Sequence, residues 1–242
     1  MSNTVNALPQ PSGILIPLYT DPGNEWIKIM HTKIVHPSVS LLAIINPNNG
    51  PPPCPNDNYV KGINHLKSVG IFTLGYVSTN YTARNYTDVI SDIYNWKKCY
   101  PNMDGIFFDE MSSTAGKESY YANLTSYAKS DGFAFTIGNP GKDTLPSYIG
   151  TVDNIVIYEN SGLPDFTSFA GWHTKYNRDN FSIISYGVNH LNNFTINTIS
   201  NHVGYFFITN GTLPNPFGSM PPYFGKMVKT LDKNMLMIQN DQ

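Results

Sequence analysis

The chain has 242 residues, which suits one large domain. Lys and Arg number 15 against 17 Asp and Glu, charged residues are 13% of the total, and Arg84 and Arg178 are the two arginines, so no basic face for nucleic acid can be assembled. No run of 18 apolar residues is present, so no membrane-spanning helix is expected.

The polar, Pro-containing start, residues 1–12, reads as a disordered lead and lacks the basic start and apolar centre of a signal peptide. An extracellular or cell-surface location is favoured if a signal has been removed. The run from Gly13 to Tyr19 predicts the first buried strand, followed by a turn and a short helix over 25–33. Val39 to Ile45 predicts the second, ended by a loop with three successive prolines, Pro51 to Pro53. A helix is expected over 57–69, where Val60, Ile63, Leu66 and Val69 recur three apart. The third strand spans 72–77, a helix follows over 88–96, and the fourth strand is the apolar run ending in Asp109 and Glu110. A helix over 117–129 leads to a fifth strand over 133–137 and, after one turn at 145–149, a sixth over 154–158. A weak helix over 166–173 precedes strand seven (181–186), a short helix (193–202), strand eight (203–208) and a last helix over 222–235.

Eight apolar runs thus recur at intervals of 21 to 33 residues, each followed by helix or loop. Continuous apolar strands belong to parallel sheets covered on both faces, and strand–crossover–strand units of this length build such sheets. Eight of them predict an α/β chain folded as a single-domain (β/α)8 TIM barrel over residues 13–242. An open doubly wound sheet is the runner-up, but no Gly-x-Gly-x-x-Gly follows the first strand to hold a dinucleotide.

Barrel active sites form at the C-terminal strand ends. The polar and aromatic residues expected there are Tyr19, Asn46, Tyr76, Thr79, Asp109, Glu110, Asn139, Glu159, Tyr186, His190, Thr209 and Asn210. The chain has four glutamates, and two of them, Glu110 and Glu159, fall on this rim. Two carboxyl groups across a cleft are the minimum equipment for glycoside hydrolysis: one protonates the leaving oxygen, and the other attacks or activates water. Strands four and six are separated by one strand, so roughly 5–10 Å between their acids is within reach. Asp109 and Glu110 are neighbours, so alternation starts their side chains toward opposite faces. Tyr and Asn around the acids suit sugar faces and hydroxyls, although Asn46 and Asn139 also suit turns, and the tyrosines also suit a core. No zinc spacing, His-Glu-x-x-His, Gly-x-Ser-x-Gly or phosphate loop occurs, so no metal or cofactor is expected. A divalent ion held by the three acids, with lyase or deacetylase chemistry, is the weaker alternative.

Cys54 is expected on the active-site rim and Cys99 on the opposite one, roughly 17–20 Å away across a strand's length. A disulfide needs Cα atoms within about 7 Å, so two free thiols are expected.

Several motifs together resemble the spherulin-4 family: 13–19 (GILIPLY), 45–51 (INPNNGP), 74–81 (LGYVSTNY) with Arg84, 105–110 (GIFFDE), 138–141 (GNPG) and 156–159 (VIYE). They occur in the family's order along nearly the whole chain. The triple proline and the short helices after strands five and six depart from the family pattern. The resemblance implies a (β/α)8 hydrolase that cuts α-1,4-linked, galactosamine-containing polysaccharide internally. It puts the family's acidic pair on Asp109 and Glu110 and its separate glutamate on Glu159. The expected substrate contacts are Tyr19, Asn46, Tyr76, Asn139 and Tyr186, the expected partner is a polysaccharide or oligosaccharide, and a monomer is expected. The alternative is a catalytically silent carbohydrate-binding or structural protein on the same barrel.

Overall fold

A computed structural model describes residues 12–240, with side chains through Asp232. Of the expected lead, residues 1–11 lie outside the described residues. Ser12 is buried, and its hydroxyl donates to the carbonyls of Ser200 (3.0 Å) and Val203 (2.8 Å).

Eight parallel strands pair in chain order and close on themselves: β1 (Gly13–Leu18), β2 (Leu41–Ile45), β3 (Phe72–Ser78), β4 (Gly105–Asp109), β5 (Phe135–Asn139), β6 (Asn154–Ser161), β7 (Phe181–Tyr186) and β8 (Tyr205–Ile208). Around them run α1 (Asn24–Val35), α2 (Asp57–Ser68), α3 (Tyr86–Cys99), α4 (Glu118–Ser130), α5 (Asn193–His202) and α6 (Phe224–Asn240). The β5–β6 and β6–β7 connections hold short 3-10 turns in place of long helices. This is the expected (β/α)8 barrel. Among the described residues, no helix is long and apolar enough to cross a membrane.

The strands form because their residues have two apolar surfaces to meet. Every residue of β1 and β2 is buried, with helices on one side and the barrel interior on the other. The interior is aromatic: Phe72 meets Phe135, Phe135 meets Tyr205, and Tyr76 meets Phe107, with centroids 6.1–6.2 Å apart. These contacts fix which residues point inward, and Asp109 shares the face of Phe107 two residues earlier. Gly75 points outward and must be glycine, because the Trp96 indole of α3 lies 2.7 Å from where a Cβ would stand. That approach lets Trp96 Nε1 donate to the carbonyl of Tyr76 at 2.9 Å, tying α3 to the strand under the site.

The expected pair of free thiols is overturned. Cys54 and Cys99 form a disulfide with Cα atoms 5.4 Å apart. The rim-to-rim separation would hold only if the loop after β2 stayed at the mouth. Instead it runs alongside α3: Gly50 faces Asp92, the Tyr100 hydroxyl donates to the Pro53 carbonyl at 3.1 Å, and the same hydroxyl accepts from the Asn56 amide at 3.3 Å. The loop therefore reaches the far end of α3 before α2 begins. The bridge closes a separation of 45 residues, for which restriction of the unfolded chain corresponds to about 4 kcal/mol. Replacing both cysteines by Ala should lower unfolding free energy by about 2–4 kcal/mol in urea titration, while leaving the acids in place.

Candidate active site

The four central acid-site residues come from four adjacent strands, β3 to β6. In register, Ser78 on β3, Asp109 on β4 and Asn139 on β5 stand side by side at the C-terminal end. Glu159 was expected just past its strand, yet β6 continues to Ser161, pairing Glu159, Asn160 and Ser161 with Ile184, Ser185 and Tyr186 of β7. This ladder carries a bulge: Val156 lies opposite Ser182 and Tyr158 opposite Ile183. Four residues of β6, from Val156 to Glu159, stand opposite three of β7, from Ser182 to Ile184. The extra residue flips the alternation, so Glu159 points inward where an unbroken strand would have sent Tyr158.

The two inward acids share one amide. Asn139 Nδ2 donates to Asp109 Oδ1 at 2.7 Å and to Glu159 Oε2 at 2.5 Å, and Asn139 Oδ1 accepts from the Gly141 amide at 3.0 Å. The Gly141 bond fixes the amide's orientation, since turning it over would set an oxygen against both carboxylates. Two oxygens touching one nitrogen at these distances lie no more than about 5 Å apart, the spacing of retaining rather than inverting glycosidases. Asp109 Oδ2 also accepts from the Tyr76 hydroxyl at 2.6 Å.

The environments of the two acids differ. Burial lifts the Asp109 carboxyl above its usual value, and donors from Tyr76 and Asn139 oppose the lift. Burial, followed by the Asp109 charge, lifts Glu159 to about 7, with the single Asn139 donor in opposition. Two carboxyls this close do not both ionise readily. Asp109, with more donors, is the one that holds the charge, and Glu159 is the one that keeps the proton.

Glu110 reaches the same rim by a different route. Its φ of 52° is left-handed and breaks the alternation that would carry its side chain away. Its carboxylate accepts from Ser78 Oγ at 2.5 Å, and its carbonyl accepts from the Tyr81 amide at 2.7 Å and from Thr79 Oγ1 at 2.9 Å. Among the described residues, no three His, Cys, Asp or Glu side chains converge as a set that could hold a metal ion.

The expected substrate contacts divide. Tyr76, one layer below Asp109, and Asn139, beside it, are each 4% exposed and hold the acids through their hydrogen bonds. Tyr19 is partly exposed at the mouth, edge-on to Tyr76 (6.0 Å) and Phe217 (5.6 Å), and burial and the Asp109 and Glu159 charges raise its pKa. Asn46 turns to its own loop, where Oδ1 accepts from the Asn49 amide at 2.7 Å. Tyr186 stands on β7, its hydroxyl 3.5 Å from Asn160 Oδ1, and His190 is exposed beyond that strand. Ser78, Tyr81 and Phe217 join the mouth without having been anticipated. Ser78 ends β3 and Tyr81 follows in the turn after it; both fall within the 74–81 stretch, which does not show that they reach the acids.

Comparison with known proteins agrees with this fold. Residues 13–231 match the model of spherulation-specific family 4. Spherulin-4 of Physarum polycephalum is 38% identical over 165 residues, which is 67% of this chain and 49% of that protein, so the chain spans about half the length of this relative. The crystal structure of Aspergillus clavatus Sph3 in complex with GalNAc superposes with a TM-score of 0.81 at 25% identity, covering 92% of this chain and 98% of that one. The 3-dehydroquinate dehydratase of Geobacillus kaustophilus has a TM-score of 0.50 at 10% identity over 94% of this chain and 91% of its own, a likeness of barrel alone. By the match along nearly its whole length, the chain belongs to the spherulation-specific family 4.

Proposed function

We propose that the chain is an endo-acting glycoside hydrolase that cleaves an α-linked, galactosamine-containing polysaccharide. The observation that carries the reading is the Asp109–Asn139–Glu159 bridge. It holds an ionised and a protonated carboxyl with their nearest oxygens within about 5 Å at the barrel mouth, the equipment for double displacement at an anomeric carbon. Glu159 is the general acid and then the general base. Asp109 is the nucleophile, with Tyr76 and Asn139 holding both of its oxygens. Glu110 supports the rim through Ser78. Tyr19 and Tyr186 are the substrate contacts that remain partly exposed, and an amino-sugar substrate is supported by the similarity to Sph3, whose structure contains GalNAc. The Cys54–Cys99 bridge suits work in an oxidising compartment.

The test is incubation with α-linked galactosamine polymers, acetylated and deacetylated, with mass spectrometry of the released oligomers. New oligomers of several lengths are expected. Binding without new reducing ends would instead support the silent carbohydrate-binding alternative. The oxygen separation also predicts retained anomeric configuration in the first-formed product, read by proton NMR before mutarotation; inverted product would refute the Asp109 role.

A further inference from the structure

Tyr81 has no part in the chemistry above, yet the chain holds it at the mouth in a costly conformation. Asn80, Tyr81 and Thr82 have φ values of 44°, 53° and 76°, three left-handed non-glycine residues in succession, beside Glu110 at 52°. Such residues persist where the surroundings hold them, and they gather at functional sites. Here the surroundings are the acid-bearing turn itself. The Tyr81 amide donates to the Glu110 carbonyl at 2.7 Å, the Ala83 amide to the Asn80 carbonyl at 2.7 Å, and Arg84 Nη1 to the Ser78 carbonyl at 2.7 Å. The outcome is a ring anchored through its backbone to Glu110 and left 57% exposed. The backbone bond to Glu110 sets the ring on the β3–β4 flank of the acids, and burial, then the charges of Glu110, Asp109 and Glu159, raise its hydroxyl pKa above the usual range.

The order around the rim gives this ring a side. The turn after β3 carries Tyr81, β4 carries Asp109, β5 carries Asn139 and β6 carries Glu159. Asp109 attacks the anomeric carbon opposite the leaving oxygen, and Glu159 must reach that oxygen, so the aglycone lies toward β6. Tyr81 is on the opposite flank. We propose that Tyr81 is the stacking platform for the sugar on the non-reducing side of the scissile bond, so that an amino-sugar polymer crosses the mouth with its reducing-end portion over β6. The proposal rests on the hydrolase reading above.

Nitrophenyl α-glycosides with one to three galactosamine units carry all their sugars on the non-reducing side of the cleaved bond, so they isolate this flank. Tyr81→Ala should raise KM on them about tenfold with kcat within twofold, the scale of one lost aromatic stacking contact, while Tyr81→Phe should stay near wild type. An unchanged KM, a loss in kcat alone, or a loss seen only with unsubstituted oligomers would each overturn it. Calorimetric titration of the same glycosides into Glu159→Gln, with and without Tyr81→Ala, separates the two readings. If wild type releases no nitrophenol, the hydrolase reading fails, yet a tenfold affinity difference still supports the platform. Equal affinities, or no binding by either variant, overturn it.

Discussion

Glu159→Gln should lower kcat by about 10²–10⁴-fold on unactivated polymer, the range that positioned proton transfer contributes. The variant keeps the shape of the site, because Gln Oε1 can still accept from Asn139 Nδ2. What it loses is the proton delivered to the leaving oxygen. Wild-type activity should therefore fall as pH rises through about 7, where Glu159 ionises, and the residual activity of the variant should lack that limb. Nitrophenyl substrates, whose leaving group needs little protonation, should suffer less than the polymer. The same shift makes a stability prediction of definite sign. The raised acid binds its proton more tightly in the folded chain than in the unfolded one, so stability falls as pH rises from about 4.5 to about 7. Gln has no proton to lose. Glu159→Gln should accordingly gain several degrees in Tm at pH 8, on the order of 3 kcal/mol at most, and no advantage below pH 4.5. Unchanged hydrolysis with an unchanged pH profile would remove Glu159 from the mechanism.

That an acid should cost stability and yet stand at the mouth explains what was legible in the sequence and what was not. The eight apolar runs placed the barrel, with β7 and α5 at the bounds the pattern predicts, because burial of both strand faces leaves its mark on every residue. Scarce glutamates at strand ends marked the rim, because so few were available to be there by chance. The facing of each acid was not legible. Glu159 depends on one extra residue in β6, and a bulge leaves no signature in an apolar run such as 154–158. Glu110 depends on a left-handed φ that its residue type does not favour. Asn139 is expected as a substrate contact that also suits a turn, because Pro140 and Gly141 follow it; its bond from the Gly141 amide is indeed a turn contact, but the same side chain gives both its amide hydrogens to the acids. The disulfide was missed for a related reason. Strand counting orders the elements around the barrel but does not trace a loop that leaves the rim and follows a helix.

Asp109→Asn should reduce hydrolysis by at least about 10⁴-fold, more than the Glu159 variant, because no proton donor substitutes for a missing nucleophile. Asparagine fits the pocket: its oxygen can face Asn139, and its amide can face a Tyr76 hydroxyl turned to accept. Loss of activity alone does not separate nucleophile from acid, since both carboxyls touch one nitrogen and removing either disturbs the other. Azide separates them. In Asp109→Ala, an azide ion entering the vacated space attacks the anomeric carbon from the nucleophile's side, and protonated Glu159 still assists departure of the leaving group. The expected product is a glycosyl azide of inverted configuration, formed at a rate that rises with azide concentration. In Glu159→Ala with an activated aryl glycoside, Asp109 still forms the covalent intermediate. Azide then attacks from the opposite side, and the product retains configuration. If the two variants exchange these outcomes, the roles are reversed, and the extra donors on Asp109 hold an acid in place rather than prepare a nucleophile.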